Sequence, residues 1–319
     1  MIVWIVFIVC ILLFLALDLG VFNKDAHIIK TKEASVWTGI WVSVALSFSL
    51  VIFWLYKNNM VENIHGISAQ EAALKYITGY LIELSLSIDN IFVIAVIFKS
   101  FRIPQKYQHR VLFWGIMGAI FFRAVMILFG VILIEKFTWT TYVFGVFLLY
   151  TAFKMLWSDE DNAEGFDPKG SWVYRFTRRF VPVTSHMSGE HFFIKKRNLH
   201  IATPLFIALI VIEVTDIIFA LDSIPAILAI TSEPFLVFSS NILAIMGLRS
   251  MYFFLANMLE RFHHLKYSLL VILSFVGVKM LLVHHFKFPE WFSLAFILVA
   301  LVAGVVVSLI SVKEPVREK

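Results

Sequence analysis

Six carboxylates stand in stretches of chain that are otherwise apolar: Asp18, Glu83, Asp89, Glu213, Asp216 and Asp222. Four bases share that setting, namely Arg123, Lys154, Arg249 and Lys279. An ionised side chain at the centre of a membrane helix costs about 2.5–3.5 kcal/mol on insertion scales, so leaving all of them unpaired would cost roughly 25–35 kcal/mol, beyond what a marginally stable fold tolerates. They must pair, protonate, line a wet cavity or bind an ion, and each outcome draws their spans into one polar centre. Salt bridging is sufficient for the bases, and Lys154 and Lys279 can also snorkel. Asp18, near the end of its span, can reach interfacial water. The acids nevertheless exceed the bases by two, the charge of one divalent cation.

Spacing sharpens this reading. Glu83 and Asn90 are seven residues apart, as are Asp216 and Ser223, so each pair shares nearly one helix face and offers a carboxylate with a neutral oxygen. Asp89 and Asp222 point away by roughly 100° on a straight helix. Pro225 removes the hydrogen bond to Leu221 and predicts a break at Asp222, which would free backbone carbonyls for an ion; the first half has only Gly79 as a candidate breaker. With Asn90, Ser223 and Asn241 these carboxylates form an all-oxygen set suited to Mn²⁺, Mg²⁺ or Ca²⁺. The softer ligands that zinc and copper prefer are missing from the spans, because the histidines fall in loops or at span ends and Cys10 stands alone. In the string TSHMSGEHFFIKKRN, the spacing of His186, Glu190 and His191 is a weak metal signal.

The elements that must position these residues are transmembrane helices. The chain has 319 residues, is 60% hydrophobic and only 15% charged, and its mean hydropathy is +0.87, a composition that makes the lipid bilayer its solvent. Apolar runs near 2–22, 36–56, 74–98, 111–134, 140–157, 202–230, 236–257, 267–284 and 292–312 predict an all-α polytopic membrane protein of about nine helices. The N-terminal run lacks a basic region and a small-residue cleavage site, so it reads as a retained helix. An internal repeat organises the rest. Aligning Asp89 with Asp222 sets Glu83 on Asp216 and Asn90 on Ser223; one arginine follows in the next span of each half, Arg123 and Arg249, and one Lys-Met-Leu tripeptide in the span after that, Lys154 and Lys279. Three spans per unit force the second copy to enter from the other side, which predicts two inverted three-helix repeats.

The predicted organisation is two N-terminal helices over 1–60, a first repeat over 74–157, a loop over 158–200, a second repeat over 201–285, and a last helix with its tail over 290–319. Nineteen Lys and Arg fall in one set of loops and four in the other, so the positive-inside rule puts the N-terminus outside and the C-terminus in the cytoplasm. Within the 158–200 loop, aromatic residues Trp172, Phe176 and Phe180 alternate with Arg175, Arg178 and Arg179 at helical spacing, which predicts a short helix on the inner leaflet.

Several function classes drop out. The net charge of +5 is spread between apolar spans rather than gathered in a patch, so no nucleic acid is expected. A single cysteine cannot build a disulfide or dithiol motif within one chain. No enzyme is expected either, since neither Ile88-Asp89 nor Leu221-Asp222 supplies the Gly-x-Gly-Asp context of aspartyl intramembrane proteases, and no cofactor is implied. No G-x-x-x-x-G-K-[ST] string is present, so transport would be secondary. Expelling a divalent cation against an inside-negative potential costs about 4.6 kcal/mol per 100 mV, and carboxylates that alternate between metal and proton would supply the coupling. The alternative is a membrane scaffold or stress-response protein in which the buried charges only hold the helices together and the 158–200 loop docks membrane protein partners.

The strings GYLIELSLSIDNIFV, EHFFIKKRN, ATPLFIALIVIEVTDIIFALDSIPAI, SNILAIMGLRSMYF and LKYSLLVILSFVGVKML resemble the tellurium-resistance TerC family of bacterial membrane proteins, most closely its Alx-like members. The resemblance covers about residues 10–310. It implies a multi-pass protein of the bacterial inner membrane that exports Mn²⁺, with roles in metal homeostasis, tellurite and alkaline-pH stress. Carried onto this chain, it implies a metal site of Glu83, Asp89 and Asn90 with Glu213, Asp216, Asp222 and Ser223. Glu213 has Tyr80 as its counterpart in the first half, which leaves its role the least defined.

Overall fold

The computed structural model describes residues 2–17, 31–137, 139–157, 172–180, 182–184, 189–196, 199–256, 265–282, 286 and 288–311. Within them lie the helices α1 (Ile2–Leu17), α2 (Thr31–Lys57), α3 (Ala69–Ser100), α4 (Gln105–Lys136), α5 (Trp139–Trp157), α6 (Trp172–Phe180), α7 (Pro204–Leu228), α8 (Pro234–Met246), α9 (Leu248–Ala256), α10 (Leu265–Leu282) and α11 (Glu290–Ser311). A two-stranded antiparallel hairpin, β1 (Phe193–Lys196) with β2 (Leu199–Ala202), precedes α7. The predicted short helix over 172–180 is α6, and the hairpin behind it is an addition that the apolar pattern does not announce.

Five helices, α2, α3, α4, α7 and α11, are long and apolar enough to cross a membrane, and α8 with α9 makes six if that bent pair is one span. Helices α1 and α10 are apolar but shorter. Their outward faces carry large apolar side chains in the open, such as Leu50 on α2, Phe129 on α4 and Val299 on α11, as expected of a surface bathed in acyl chains.

Local sequence sets the boundaries. The Ser68 hydroxyl accepts the Glu71 amide at 3.2 Å and opens α3. At the other end Arg102 adopts a left-handed φ of 52°, which reverses the chain between Phe101 and Pro104 at the start of α4. Pro204 and Pro234 occupy the first positions of α7 and α8, where a missing amide hydrogen costs nothing.

The break predicted at Asp222 does not occur. Helix α7 runs unbroken from Pro204 to Leu228 with Pro225 inside it. The proline falls in the last turn, so it forfeits one hydrogen bond near an end that packing secures: a Cβ added at Gly130 of α4 would meet Leu228 at 2.7 Å and Ile224 at 3.4 Å. The bend lies instead at Gly247, where α8 and α9 meet at 41°. Gly247 also faces Trp41 of α2, whose Cβ would stand 3.4 Å from an added methyl.

At the centre, α3 packs against α8 and α7 against α4, while α3 and α7 touch each other, as do α5 and α10. The α5–α10 seam is reciprocal: a Cβ at Gly145 would meet the Gly277 carbonyl at 3.1 Å and Leu281 at 3.0 Å, and one at Gly277 would meet the Gly145 carbonyl at 3.1 Å and Leu149 at 3.0 Å. The seam therefore runs through Gly145 and Gly277, with Leu281 of the second Lys-Met-Leu string packed on Gly145.

Candidate functional site

Arg123, on α4, is fully buried, and its guanidinium organises the polar centre. Its Nε and Nη2 donate to the two carboxylate oxygens of Asp216 at 3.1 and 2.9 Å, a bidentate fork that suits a planar guanidinium. Its Nη1 pairs with Glu83 Oε1 and lies 3.4 Å from the Ser223 hydroxyl. Glu83, also without solvent exposure, accepts Asn241 Nδ2 at 2.9 Å on its second oxygen, with the Ser87 hydroxyl 3.5 Å from its first. Asn90 Nδ2 donates to Asp216 Oδ1 at 3.4 Å. Of the residues that align between the two halves, Glu83, Asp216 and Ser223 thus converge on one cation and Asn90 bonds Asp216, in a cluster built from α3, α4, α7 and α8.

Two features of this cluster suit a hard cation. The amide nitrogens of Asn90 and Asn241 are committed to carboxylates, and their Oδ1 atoms are buried without a hydrogen-bond partner among the described residues. A buried acceptor left unpaired costs about 1–3 kcal/mol, so two beside a carboxylate pair amount to stored affinity for a donor or a cation. A cavity of about 30 Å³ is bounded by Asn90, Thr215, Asp216, Gly115 and Ala119. That volume admits a water or two, each needing roughly 10–15 Å³. No group of three His, Cys, Asp or Glu stands ready to hold a metal among the described residues, because the guanidinium is wedged between the two central carboxylates.

Glu213 and Asp222 flank the cluster along α7. Glu213 lies one turn before Asp216, and its carboxylate rests on the backbone of α4 at Gly118, where any side chain would overlap it. Its Oε2 is buried without a partner among the described residues. Asp222, about 9 Å along the helix in the other direction, is half-buried and accepts the Thr151 hydroxyl of α5 at 3.1 Å.

The model of the integral membrane protein TerC family matches residues 68–315. The chain belongs to the TerC family. Its relatives include an uncharacterized membrane protein of Myxococcus xanthus, 48% identical over 96% of this chain and 92% of its own length. Another is a protein of Escherichia coli strain K12 that carries the provisional name membrane-bound redox modulator Alx, 43% identical over 96% of this chain and 93% of its own. A membrane protein of Rickettsia bellii is 41% identical over 96% and 97%. No solved structure matches.

In this TerC-family chain the two aligned lysines have different surroundings. Lys279 is buried on α10 and bonds Glu290 at 3.4 Å and Ser293 at 3.1 Å on α11, whereas Lys154 is exposed on α5. Arg249 is buried on α9 just past the Gly247 bend. Asp89 lies on α3, but its side chain is outside the described residues, as are Asp18 and His186. Glu190 pairs with Arg110 at 3.2 Å, and His191 accepts the Thr203 hydroxyl on its carbonyl, so this stretch anchors the hairpin to α4 and α7.

Sequence reasoning missed Ser87, Thr151 and Gly118. The first carries a signal in retrospect, four residues after Glu83 on one helix face; the other two have none beyond being small residues in apolar spans. It also missed Glu233, a buried carboxylate at the start of α8 that accepts the amides of Ile64 and His65 at 3.3 and 2.8 Å and His65 Nδ1 at 2.9 Å. Glu233 ties the loop between α2 and α3 to the turn between α7 and α8.

Proposed function

We propose that this protein is a secondary transporter that exports a divalent metal ion, Mn²⁺ foremost, through the polar centre of its membrane domain. The observation that carries the reading is the convergence of Glu83 and Asp216 on one buried arginine, with the oxygens of Asn90, Asn241 and Ser223 around them. Carboxylate, amide and hydroxyl oxygens are the donor chemistry of Mn²⁺, Mg²⁺ and Ca²⁺. The buried amide oxygens of Asn90 and Asn241, unpaired among the described residues, are acceptors that a cation entering the centre would satisfy.

Counting α1, α5 and α10 as spans with the others makes nine, and the packing agrees with two inverted repeats: exchanging α3 with α7, α4 with α8–α9 and α5 with α10 turns the α4–α7 interface into α3–α8 and α5–α7 into α3–α10, and leaves α3–α7, α4–α8 and α5–α10 in place. In the orientation set by the positive-inside rule, the N-terminus is outside the inner membrane and the C-terminus in the cytoplasm. The acids then form a ladder, with Asp89 and Glu213 on the cytoplasmic side of the centre and Asp222 on the outer side. Protons exchanging on those carboxylates would drive the metal outward. The name of the Alx relative suggests a redox role instead, but a thiol–disulfide cycle here would have only Cys10, exposed on α1 and without a second thiol in the chain.

The test is the metal content, by mass spectrometry, of Mn²⁺-loaded cells that express wild type, Asp89→Asn or Asp222→Asn at matched membrane abundance. The proposal expects only wild type to lower cellular Mn²⁺, with Mg²⁺ and Zn²⁺ unchanged. Equal Mn²⁺ in all three would make the carboxylates structural and leave the scaffold reading.

A further inference from the structure

The place between Glu83 and Asp216 that a metal ion would occupy is filled by a side chain of the protein itself. We propose that Arg123 is a tethered counter-cation, whose guanidinium holds the site between passages of metal and is displaced toward Glu213 when a divalent ion enters. The proposal rests on the transport reading above and names how its site is regulated.

Occupancy is the first argument. The guanidinium engages both oxygens of Asp216 and one of Glu83, so a metal cannot bind these carboxylates while it stays. Deprotonation cannot remove it, because arginine keeps its charge in proteins; it has to move. Charge is the second. Glu83, Asp216 and Glu213, counted as carboxylates, against one guanidinium leave two negative charges, those of one divalent ion. With the metal between Glu83 and Asp216 and the guanidinium on Glu213, the centre separates into two neutral groups, whereas two cations side by side in a buried site would repel.

Glu213 is the acceptor that the geometry provides. It lies one turn from Asp216 on α7, about 4.5 Å along the axis, and its buried Oε2 has no partner among the described residues. Its carboxylate rests against Gly118, five residues before Arg123 on α4. Helical side chains lean toward the N-terminus of their helix, so the arm of Arg123 leans in the direction of Gly118. The glycine leaves bare backbone where a larger residue would close that path.

The experiment measures Mn²⁺ affinity of the purified full-length protein in detergent, from the magnetic-resonance signal of free Mn²⁺, and Mn²⁺ flux of the same proteins in liposomes. Arg123→Gln should bind Mn²⁺ about tenfold or more tightly than wild type, since the internal competitor is gone. Its flux should fall by a similar factor because nothing neutralises the emptied site. Glu213→Gln should bind about tenfold more weakly, since the displaced guanidinium loses its acceptor. In the Arg123→Gln background the Glu213→Gln change should have no further effect on affinity, whereas a direct metal ligand would still weaken binding. Arg123→Gln binding no tighter than wild type, or Glu213→Gln binding unchanged, overturns the proposal while wild type still carries Mn²⁺. If Arg123→Gln does not fold, Arg123→Lys, a weaker competitor without the bidentate fork, takes its place in the single and the double variant with the same order of affinities expected. A wild type that neither binds nor carries Mn²⁺ sinks the transport reading itself.

Discussion

Glu83 and Asp216 align between the two halves of the chain and end on the same guanidinium, while Lys154 and Lys279 align in identical tripeptides and end in unrelated surroundings. One lysine is exposed on α5; the other is buried on α10 against Glu290 and Ser293. The difference lies in where the elements meet. Helices α3 and α7 face each other at the centre, so their two carboxylates need one shared counter-charge, which Arg123 of α4 supplies, and desolvation enforces the match. Helices α5 and α10 meet through Gly145 and Gly277, a contact that requires small residues and leaves the lysines beyond it free to diverge.

The contrast between centre and edge can be broken most severely at Arg123. Arg123→Leu leaves Glu83 buried and uncompensated, and should cost about 3–5 kcal/mol, read as a lowered unfolding midpoint in detergent; a loss below that of a surface change would place little weight on the centre. Next comes the glycine seam. Gly277→Val forces branched carbons onto the Gly145 carbonyl and Leu149 and should cost about 1–3 kcal/mol, visible in the same melt. Gly118→Ala should act on function more than on stability. Its methyl displaces only the flexible Glu213 carboxylate, so stability read from the melt should fall by less than about 1 kcal/mol while Mn²⁺ flux falls several-fold. The smallest effect belongs to Lys154→Met, which is expected within about 0.5 kcal/mol of wild type because the exposed ammonium has little to lose.

The helices were legible because a bilayer imposes long apolar runs, and the central carboxylates because charge inside such runs has no cheap explanation. The partners of those carboxylates were harder to read. A serine or threonine in a membrane helix usually bonds its own backbone, as Thr78 and Thr215 do here at 2.8 and 2.7 Å, so nothing in the sequence marks Thr151 as the exception that reaches Asp222. Pro225 misled because its cost depends on how much helix follows it, and only one turn does. The α8–α9 span bends at Gly247 without any proline, and nothing in the sequence announces it. The Lys-Met-Leu identity does not fix the surroundings of its lysines: Leu281 packs on the seam at Gly145, while Lys279 turns to Glu290 on α11 and Lys154 is exposed.

The central claim is that Glu83 and Asp216 form the two sides of one cation site. Mn²⁺ flux into liposomes containing purified wild type, Glu83→Gln or Asp216→Asn, with a trapped Mn²⁺-quenched dye as the reporter, tests it most directly. The account predicts flux for wild type and a loss of about tenfold or more for each variant, with the double variant no worse than the more severe single one, because both belong to one site. Wild-type flux in both single variants would contradict it.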